Sequence, residues 1–252
     1  MRPILGKLDG ARQLLHPILG EDKAGRRAPL GHAGADTLLR GGLITGTLHE
    51  IQAADAGATG FLLGVADRTS AARKLIWIAQ DFASIEHGGL APTGLAELGL
   101  SPDRLILMRA ADATDALRAG TDALSCAVLG AVIIEIVGNP KVLDLTASRR
   151  LMLGAQQKGV TAFLLRTQME AEPSAAETRW HVRSAHSQEI EDWGSPRFEA
   201  ALTRNRHGET GRWIMEWDSD NRIFCDTADP RALAAAPADG PASAQERLRR
   251  TG

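Results

Sequence analysis

The strongest constraint on the fold is an alternation of short apolar runs with segments of helical length, which begins near Thr37. The apolar runs have strand length, and they lie at 47–51, 74–79, 105–108, 131–137 and 160–165. Strands that alternate with helices form βαβ units, in which successive strands are parallel. The pattern therefore predicts an α/β core with a mostly parallel central sheet flanked by helices.

The C-terminal part shows a different pattern, with apolar runs that are not separated by helices. Three strands are predicted there, at 180–184, 198–204 and 212–217. The turn His207-Gly208-Glu209 joins the last two, and strands joined by a short turn pair antiparallel. We therefore expect antiparallel strands at the C-terminal side of the sheet.

Capping residues mark the ends of two predicted helices. Asp112 and Thr146 each precede a helical segment and can accept a hydrogen bond from its first turn. Gly159 follows the second segment, as glycine often follows a helix. The run 131–137 between them is the most apolar, with Glu135 as its only charge. Such a strand is typical of the centre of a parallel sheet.

Composition shifts predict three parts of the chain. Residues 1–36 are expected to form an N-terminal arm, helical over 8–19 and followed by a polar linker. Residues 37–227 form the predicted core. Residues 228–252 are rich in Ala and Pro and are expected to be disordered.

Net charge, cysteine spacing and the lack of long apolar runs limit the classes of function that the chain can have. With 29 basic and 31 acidic residues the net charge is −2, so any DNA contact needs a local basic patch. Cys126 and Cys225 have no metal-site spacing, which predicts neither a disulfide nor a metal site and favours a reducing cytoplasm. No export signal or membrane-spanning run is visible, so we expect a cytoplasmic protein without membrane contact.

The segment Ala35-Asp36-Thr37-Leu38-Leu39-Arg40-Gly41-Gly42-Leu43-Ile44-Thr45-Gly46-Thr47-Leu48-His49-Glu50-Ile51 resembles the run that precedes the phosphate loop of RecA-like ATPases. The order of predicted elements is similar as well. This resemblance implies a RecA-like core, in which the next loop should read G-x-x-x-x-G-K-[ST]. That loop binds phosphates through its backbone N–H groups and its lysine.

The loop 52–59 departs from this pattern at its charged position. Aligned on Gly57, the lysine position is Ala58 and the first glycine is Gln52. Asp55 adds a carboxylate inside the loop, which repels phosphate. Thr59 keeps the position that would hold Mg²⁺, although we prefer to interpret it as a helix cap. We therefore expect a pseudo-ATPase without catalytic residues or cofactor.

Two further acids fall where a RecA-like protein has functional carboxylates. Glu135 takes the place of the Asp that ends the Walker B strand, and Asp81 follows the strand 74–79 where a catalytic glutamate would lie. A solvated carboxylate at a strand end is the commoner explanation for each. Neither acid is therefore predicted to be catalytic.

Four segments in order resemble the ImuA family, accessory proteins of bacterial SOS mutagenesis. They are Leu90-Ala91-Pro92-Thr93-Gly94-Leu95-Ala96-Glu97-Leu98-Gly99-Leu100-Ser101-Pro102-Asp103-Arg104-Leu105, Asp144-Leu145-Thr146-Ala147-Ser148-Arg149-Arg150-Leu151, Thr178-Arg179-Trp180-His181-Val182, and Gly211-Arg212-Trp213 with Glu216-Trp217. The resemblance covers roughly residues 35–218. It implies an adaptor in error-prone translesion synthesis.

The resemblance also implies partners: an ImuB-type homologue of the Y polymerase family, an error-prone DNA polymerase of the C family, and RecA as a third candidate. Arg149 and Arg150 are candidate partner-binding residues, and because they are consecutive on a helix one can face a partner while the other packs. Arg204 and Arg206 resemble the basic finger of RecA-like subunits. An ordinary surface role remains open for all four.

The counterparts of the two DNA-binding loops of RecA-like proteins are short. They fall at 138–141 and 168–177, and the second carries Glu170, Glu172 and Glu177 without a basic residue. Acidic loops repel phosphates. Strand exchange is therefore disfavoured, and direct DNA contact is expected to be weak or indirect.

Two alternatives remain open from the sequence. The chain could be an active ATPase whose phosphate contacts come from another cation, such as Arg68 or Lys74. It could also be a division inhibitor of the SulA kind, acting on the GTPase FtsZ. Nucleotide titration and FtsZ sedimentation separate these from the adaptor.

Overall fold

A computed structural model describes residues 26–82, 89–169, 172–186 and 194–227. Its strands are β1 (Arg27–Ala28), β2 (Leu43–Ile44), β3 (Leu48–Ala53), β4 (Lys74–Gln80), β5 (Leu105–Ala110), β6 (Leu129–Val137), β7 (Thr161–Thr167), β8 (Thr178–Ser184), β9 (Arg197–Asn205), β10 (Gly211–Asp218) and β11 (Ile223–Asp226). Its α-helices are α1 (Ala33–Leu38), α2 (Gly57–Thr69), α3 (Pro92–Glu97), α4 (Ala113–Leu124) and α5 (Leu145–Lys158). Within these residues, no helix has the length and apolarity needed to cross a membrane.

Nine strands form one sheet in the order β11-β10-β9-β8-β3-β7-β6-β4-β5, and β1 pairs with β2 in a small separate sheet. The strands from β8 to β5 in that order are mutually parallel. Strands β9, β10 and β11 are each antiparallel to their neighbours. The predicted α/β class is therefore confirmed, including the antiparallel strands at the C-terminal side.

Strand β8 differs from the prediction, because it pairs parallel to β3 on one side and antiparallel to β9 on the other. It was expected to belong wholly to the antiparallel part. The reason is that β8 begins at the same edge of the sheet as β3, and the described residues 172–177 that precede it form no helix. Strand β11 was not predicted at all, since its four residues do not form a long apolar run.

The predicted linker was wrong for residues 26–36. This segment contains β1 and α1, and Leu30 within it is fully buried. Asp36 accepts hydrogen bonds from the backbone N–H groups of Leu30 and Gly31, at 2.8 and 2.9 Å. The polar residues of the segment therefore cap and brace a folded turn. The predicted arm over 1–25 and the predicted tail over 228–252 lie outside the described residues.

The helices cover the two faces of the sheet. Helix α2 packs on one face with the aromatic residues of the antiparallel strands, and α4 and α5 pack on the other. Asp112 caps α4 as predicted, through the Asp115 N–H. Asp144, rather than the predicted Thr146, caps α5, because the helix begins at Leu145. Gly159 ends α5 with a φ of 66°, the left-handed geometry expected of a C-terminal glycine.

The imidazole of His49 on β3 is fully buried. Burial lowers its pKa from 6.5 to about 4, partly opposed by a hydrogen bond to the Ile44 carbonyl. Nε2 donates to that carbonyl at 2.8 Å, and Nδ1 therefore accepts from the Thr178 hydroxyl at 2.8 Å. The imidazole is a neutral bridge between β2, β3 and β8.

This geometry predicts that stability falls in acid. The folded state disfavours protonated His49, so the unfolded chain binds more protons between pH 6.5 and 4. The free energy of unfolding should lose about 3 kcal/mol as pH falls through that window. Urea unfolding of the unaltered chain and of His49→Gln at a series of pH values measures the difference. The exposed His181→Gln serves as control and should keep the original slope; an equal slope in His49→Gln would contradict the prediction.

Candidate functional site

The loop that joins β3 to α2 lies at the carboxyl edge of the parallel strands. In open α/β sheets ligands bind at this edge, often against the N-terminus of a helix. A cavity of about 550 Å³ opens beside the loop. Its lining includes Asp55, Thr59, Trp77, Arg109 and Glu135. The structure thus brings three residues singled out from the sequence, Asp55, Thr59 and Glu135, to one cavity.

The Asp55 carboxylate accepts hydrogen bonds from two other residues of the chain, Gly57 and Ser184. Its Oδ1 accepts from the Gly57 N–H at 2.8 Å, at the start of α2. The carboxylate also accepts from the Ser184 N–H, at 2.9 Å to Oδ1 and 3.0 Å to Oδ2, and from the Ser184 hydroxyl at 3.1 Å. A carboxylate at a helix N-terminus interacts favourably with the helix dipole. Asp55 therefore supplies the negative charge that a bound phosphate would otherwise bring to this position.

Gly57 is required by this contact with β8. A Cβ atom at Gly57 would lie 2.4 Å from the Ser184 hydroxyl oxygen and 2.8 Å from its backbone nitrogen. Its φ is not positive, so conformational freedom is not the reason for a glycine here. The sequence pattern attributed this glycine to a phosphate loop, whereas its contacts explain it by the close approach of Ser184.

The other loop positions lie apart from the cavity or lack charge. Ala58, at the lysine position, is fully buried in the core. Gln52 lies within β3, and its amide donates to Glu50 Oε1 at 3.4 Å. Thr59 is half-buried in the first turn of α2, and its side chain makes no N-terminal cap. The prediction that Thr59 caps the helix is therefore wrong.

Glu135 has a defined structural contact. Its Oε2 accepts a hydrogen bond from the Trp77 indole N–H at 2.9 Å, between the adjacent strands β6 and β4. Asp81 directly follows β4 and is exposed, and it is not among the described residues that line the cavity. The structure therefore joins Glu135 to the cavity but leaves Asp81 outside it.

The cations suggested for an active ATPase lie at the far edge of the sheet. Arg68 is in the last turn of α2, about 16 Å along the helix axis from Gly57. Lys74 is the first residue of β4, and its Nζ donates to the Asp103 carbonyl at 2.5 Å. Arg109 on β5 is the basic side chain among the described lining residues of the cavity, and the sequence reasoning missed it.

The four candidate partner-binding arginines differ in exposure. Arg149 and Arg150 are both exposed on α5, so neither is packed in the core and both can face a partner. Arg206 is exposed near the β9–β10 turn. Arg204 is half-buried, and its Nη1 donates to the Ser174 carbonyl at 2.8 Å. Burial, followed by the charges of Arg206 and Arg179, lowers the pKa of Arg204.

A buried charge cluster on β3, β7 and β8 was not predicted. Glu50 is fully buried and accepts from the Ser174 hydroxyl at 2.5 Å and from Arg179 Nη2 at 3.1 Å. Arg166 is buried nearby, where burial lowers its pKa and the charges of Glu50 and Glu172 oppose that shift. The sheet register places Arg179 directly beside Glu50. The two residues are 129 positions apart in the sequence, so no local pattern could indicate their pairing.

These features define a class: an α/β protein with a mostly parallel sheet. The loop at the carboxyl edge of that sheet has no lysine, and its carboxylate is hydrogen-bonded to the protein's own backbone. No protein-family model matches the chain. It is 31% identical over 199 residues to Protein ImuA of Caulobacter vibrioides, in strain NA1000 / CB15N and in strain ATCC 19089 / CIP 103742 / CB 15, with 70% of this chain and 77% of the relative covered. The chain belongs to the ImuA family.

Proposed function

We propose that the chain is a non-catalytic, RecA-like adaptor in damage-induced, error-prone DNA synthesis. Its docking partners would be an ImuB-type homologue of the Y polymerase family, a C-family DNA polymerase, and RecA. Membership of the ImuA family supports the cellular role. The observation that carries the non-catalytic part is Asp55, whose carboxylate is bound to the start of α2 and to Ser184.

Two physical arguments support the absence of nucleotide binding. A phosphate placed at the start of α2 would meet the Asp55 carboxylate, and like charges at this distance repel. A lysine to offset that repulsion is missing, since Ala58 is buried and apolar. Thr59 supplies a hydroxyl but no charge, and Arg109 is the one basic side chain among the described residues that line the cavity.

We expect calorimetric titration of the purified chain with ATP and Mg²⁺ to show no micromolar binding. Any weak binding should strengthen in Asp55→Asn, because that change removes the repulsive charge and keeps an acceptor for Ser184. An active RecA-type ATPase titrated in parallel is the positive control. Micromolar binding by the unaltered chain, lost in Arg109→Ala, would instead establish an atypical nucleotide site.

The adaptor role is tested by recovery of partners from DNA-damaged cells. We expect the tagged chain to retain an ImuB-type polymerase homologue, identified by mass spectrometry. Arg149→Glu, Arg150→Glu and Arg206→Glu should be tested separately for a weakened complex, because all three side chains are exposed. Arg204→Glu is unsuitable, since it would place a carboxylate near Glu50 and Glu177.

Arg118→Glu is the matched control for Arg149→Glu and Arg206→Glu, because Arg118 is exposed on α4 and undergoes the same change of charge. Arg118 lines the same surface cavity as Arg150, so a weakened complex in both Arg118→Glu and Arg150→Glu would place the docking surface at that cavity. Equal retention of the partner by every variant would exclude the three arginines as the docking surface. Recovery of FtsZ in place of the polymerase would favour a division inhibitor of the SulA kind.

A further inference from the structure

A broad groove lies at the amino-terminal edge of the parallel strands, the opposite edge from the candidate site. It has a volume of about 820 Å³ and forms where α2 and α5 end beside β1. Its long polar side chains are Arg26, Arg27, Arg68, Arg73, Gln156 and Gln157. The described residues that line it include no Asp or Glu. The groove is therefore strongly basic in a chain whose net charge is −2.

The four arginines have no carboxylate partner among the described residues. Arg68 Nε donates to the Pro29 carbonyl at 2.9 Å, and Arg73 Nη1 donates to the Ala127 carbonyl at 3.0 Å. Arg27 Nη1 donates to the Leu39 carbonyl at 2.5 Å. Carbonyl oxygens orient these guanidinium groups but carry no net charge. The positive charge of the groove thus remains uncompensated by the protein around it.

The guanidinium groups also keep donors available for a ligand. A guanidinium has five N–H donors, of which Arg68 uses those on Nε and Nη1 for the carbonyls of Pro29 and Arg222. Its Nη2 has no hydrogen bond to another described residue. Arg26 is exposed, and within the described part of the chain its side chain has no hydrogen bond or ion pair. Hydrogen bonds to the protein's own carbonyl groups therefore use only part of the N–H donors of these arginines.

We propose that this groove binds the phosphate backbone of a nucleic-acid strand. Planar guanidinium groups match phosphate oxygens in geometry and charge. An acidic protein segment would need buried apolar anchors, but Leu153 is the one large exposed apolar side chain among the described lining residues. Those residues include no aromatic ring for base stacking. Binding should therefore depend on phosphates and little on base sequence. Nucleic-acid binding at this groove does not require the proposed polymerase partner.

The test is fluorescence anisotropy with the full-length chain, a labelled single-stranded oligothymidine and a duplex of the same length, over a series of salt concentrations. We expect binding that weakens with salt, because phosphate contacts release counterions.

Arg26→Glu and the double change Gln156→Glu/Gln157→Glu each alter the charge by −2. Neither removes a described hydrogen bond of the other arginines. Each should weaken binding about tenfold, the scale of one charge-assisted hydrogen bond. Arg26→Glu should also reduce the salt slope by about 1.

Arg118→Glu is again the matched control, with the same charge change on α4 away from the groove. It should bind like the unaltered chain, and all variants should keep the unaltered unfolding midpoint. A preference for the single strand or for the duplex identifies which nucleic acid the groove serves. The proposal fails if the unaltered chain binds neither, or if the control weakens binding as much as the groove variants. It also fails if oligoglutamate binds more tightly than either oligonucleotide and Arg26→Glu abolishes that binding.

Discussion

Replacement of Glu50 by Ala should lower the free energy of unfolding by about 3–5 kcal/mol, the cost of breaking a buried ion pair on one side. Glu50 is fully buried on β3, and Arg179 is largely buried beside it on β8. Without the carboxylate, Arg179 would keep its charge in the interior, and its remaining hydrogen bonds within the described residues would go to two neutral acceptors. These are the Glu172 carbonyl at 2.6 Å and the Ser174 hydroxyl at 3.1 Å.

The cost should be high because other cations lie close to the same carboxylate. Glu50 raises the pKa of Arg166 and of Arg204 against the effect of burial, so its negative charge stabilises both guanidinium groups. The Arg166 and Arg179 Nε atoms are buried without a hydrogen-bond partner among the described residues. Removal of the carboxylate therefore leaves the positive charges of Arg166, Arg179 and Arg204 with less negative charge close to them.

Urea unfolding at neutral pH measures the effect, with thermal unfolding as a second readout. For a domain of this size a loss of 3–5 kcal/mol corresponds to roughly 10 °C in the unfolding midpoint. Glu50→Gln keeps the shape and one acceptor, so it separates the loss of charge from the loss of volume. Asp115→Ala breaks the exposed pair with Arg118 and should cost no more than about 0.5 kcal/mol.

The double variant Glu50→Ala/Arg179→Ala completes a thermodynamic cycle. If the cost of Glu50→Ala comes from the orphaned guanidinium, removal of Arg179 should restore part of the stability, and the two changes should not add. A loss of under about 1 kcal/mol in Glu50→Ala would show that solvent reaches the cluster and screens its charges.

The sequence predicted β4, β6 and β7 because each of these strands buries an almost uninterrupted apolar run. Strand β5 was predicted from its apolar run as well, although its Ile106, Leu107 and Met108 are exposed. Asp112 and Gly159 were predictable for a similar reason, since a cap acts on the helix next to it in sequence. Asp55 was identified as a charge that disfavours phosphate, but its partner Ser184 is 129 residues away. No local pattern records such a pairing, and the same separation concealed Glu50 and Arg179.

The arginine groove was hidden for a related reason. Its arginines come from the start of β1 and from the end of α2 with the turn that follows it, and α1, β2 and β3 separate these two parts of the chain in sequence. A balanced composition conveys nothing about such clustering. The sequence predicted only that DNA contact would require a local basic patch. It could not locate the patch, because the topology of the sheet determines which basic residues lie close together.

The second large effect is expected for Phe61→Ala, which should lower the free energy of unfolding by about 3–5 kcal/mol. Phe61 lies on α2 and is fully buried. Its ring centroid is 5.6 Å from that of Trp180, 5.9 Å from Phe198 and 5.1 Å from Phe224. These three rings come from β8, β9 and β11. A cavity at Phe61 would therefore weaken the contact between the helix after the candidate loop and the strands of the C-terminal part.

This variant tests whether the antiparallel strands belong to the same cooperative unit as the parallel core. Phe82→Ala is the control, because Phe82 is 42% exposed and its loss should change stability by about 0.5 kcal/mol or less. If the sheet unfolds as one unit, Phe61→Ala shifts the urea midpoint and leaves the m-value unchanged. Combination with Phe224→Ala should be non-additive, because the two rings are in contact.

A separate early transition in Phe61→Ala, with a reduced m-value, would instead mean that β9 to β11 unfold independently. In that case Ser184, at the end of β8, would hold Asp55 only while those strands stay paired.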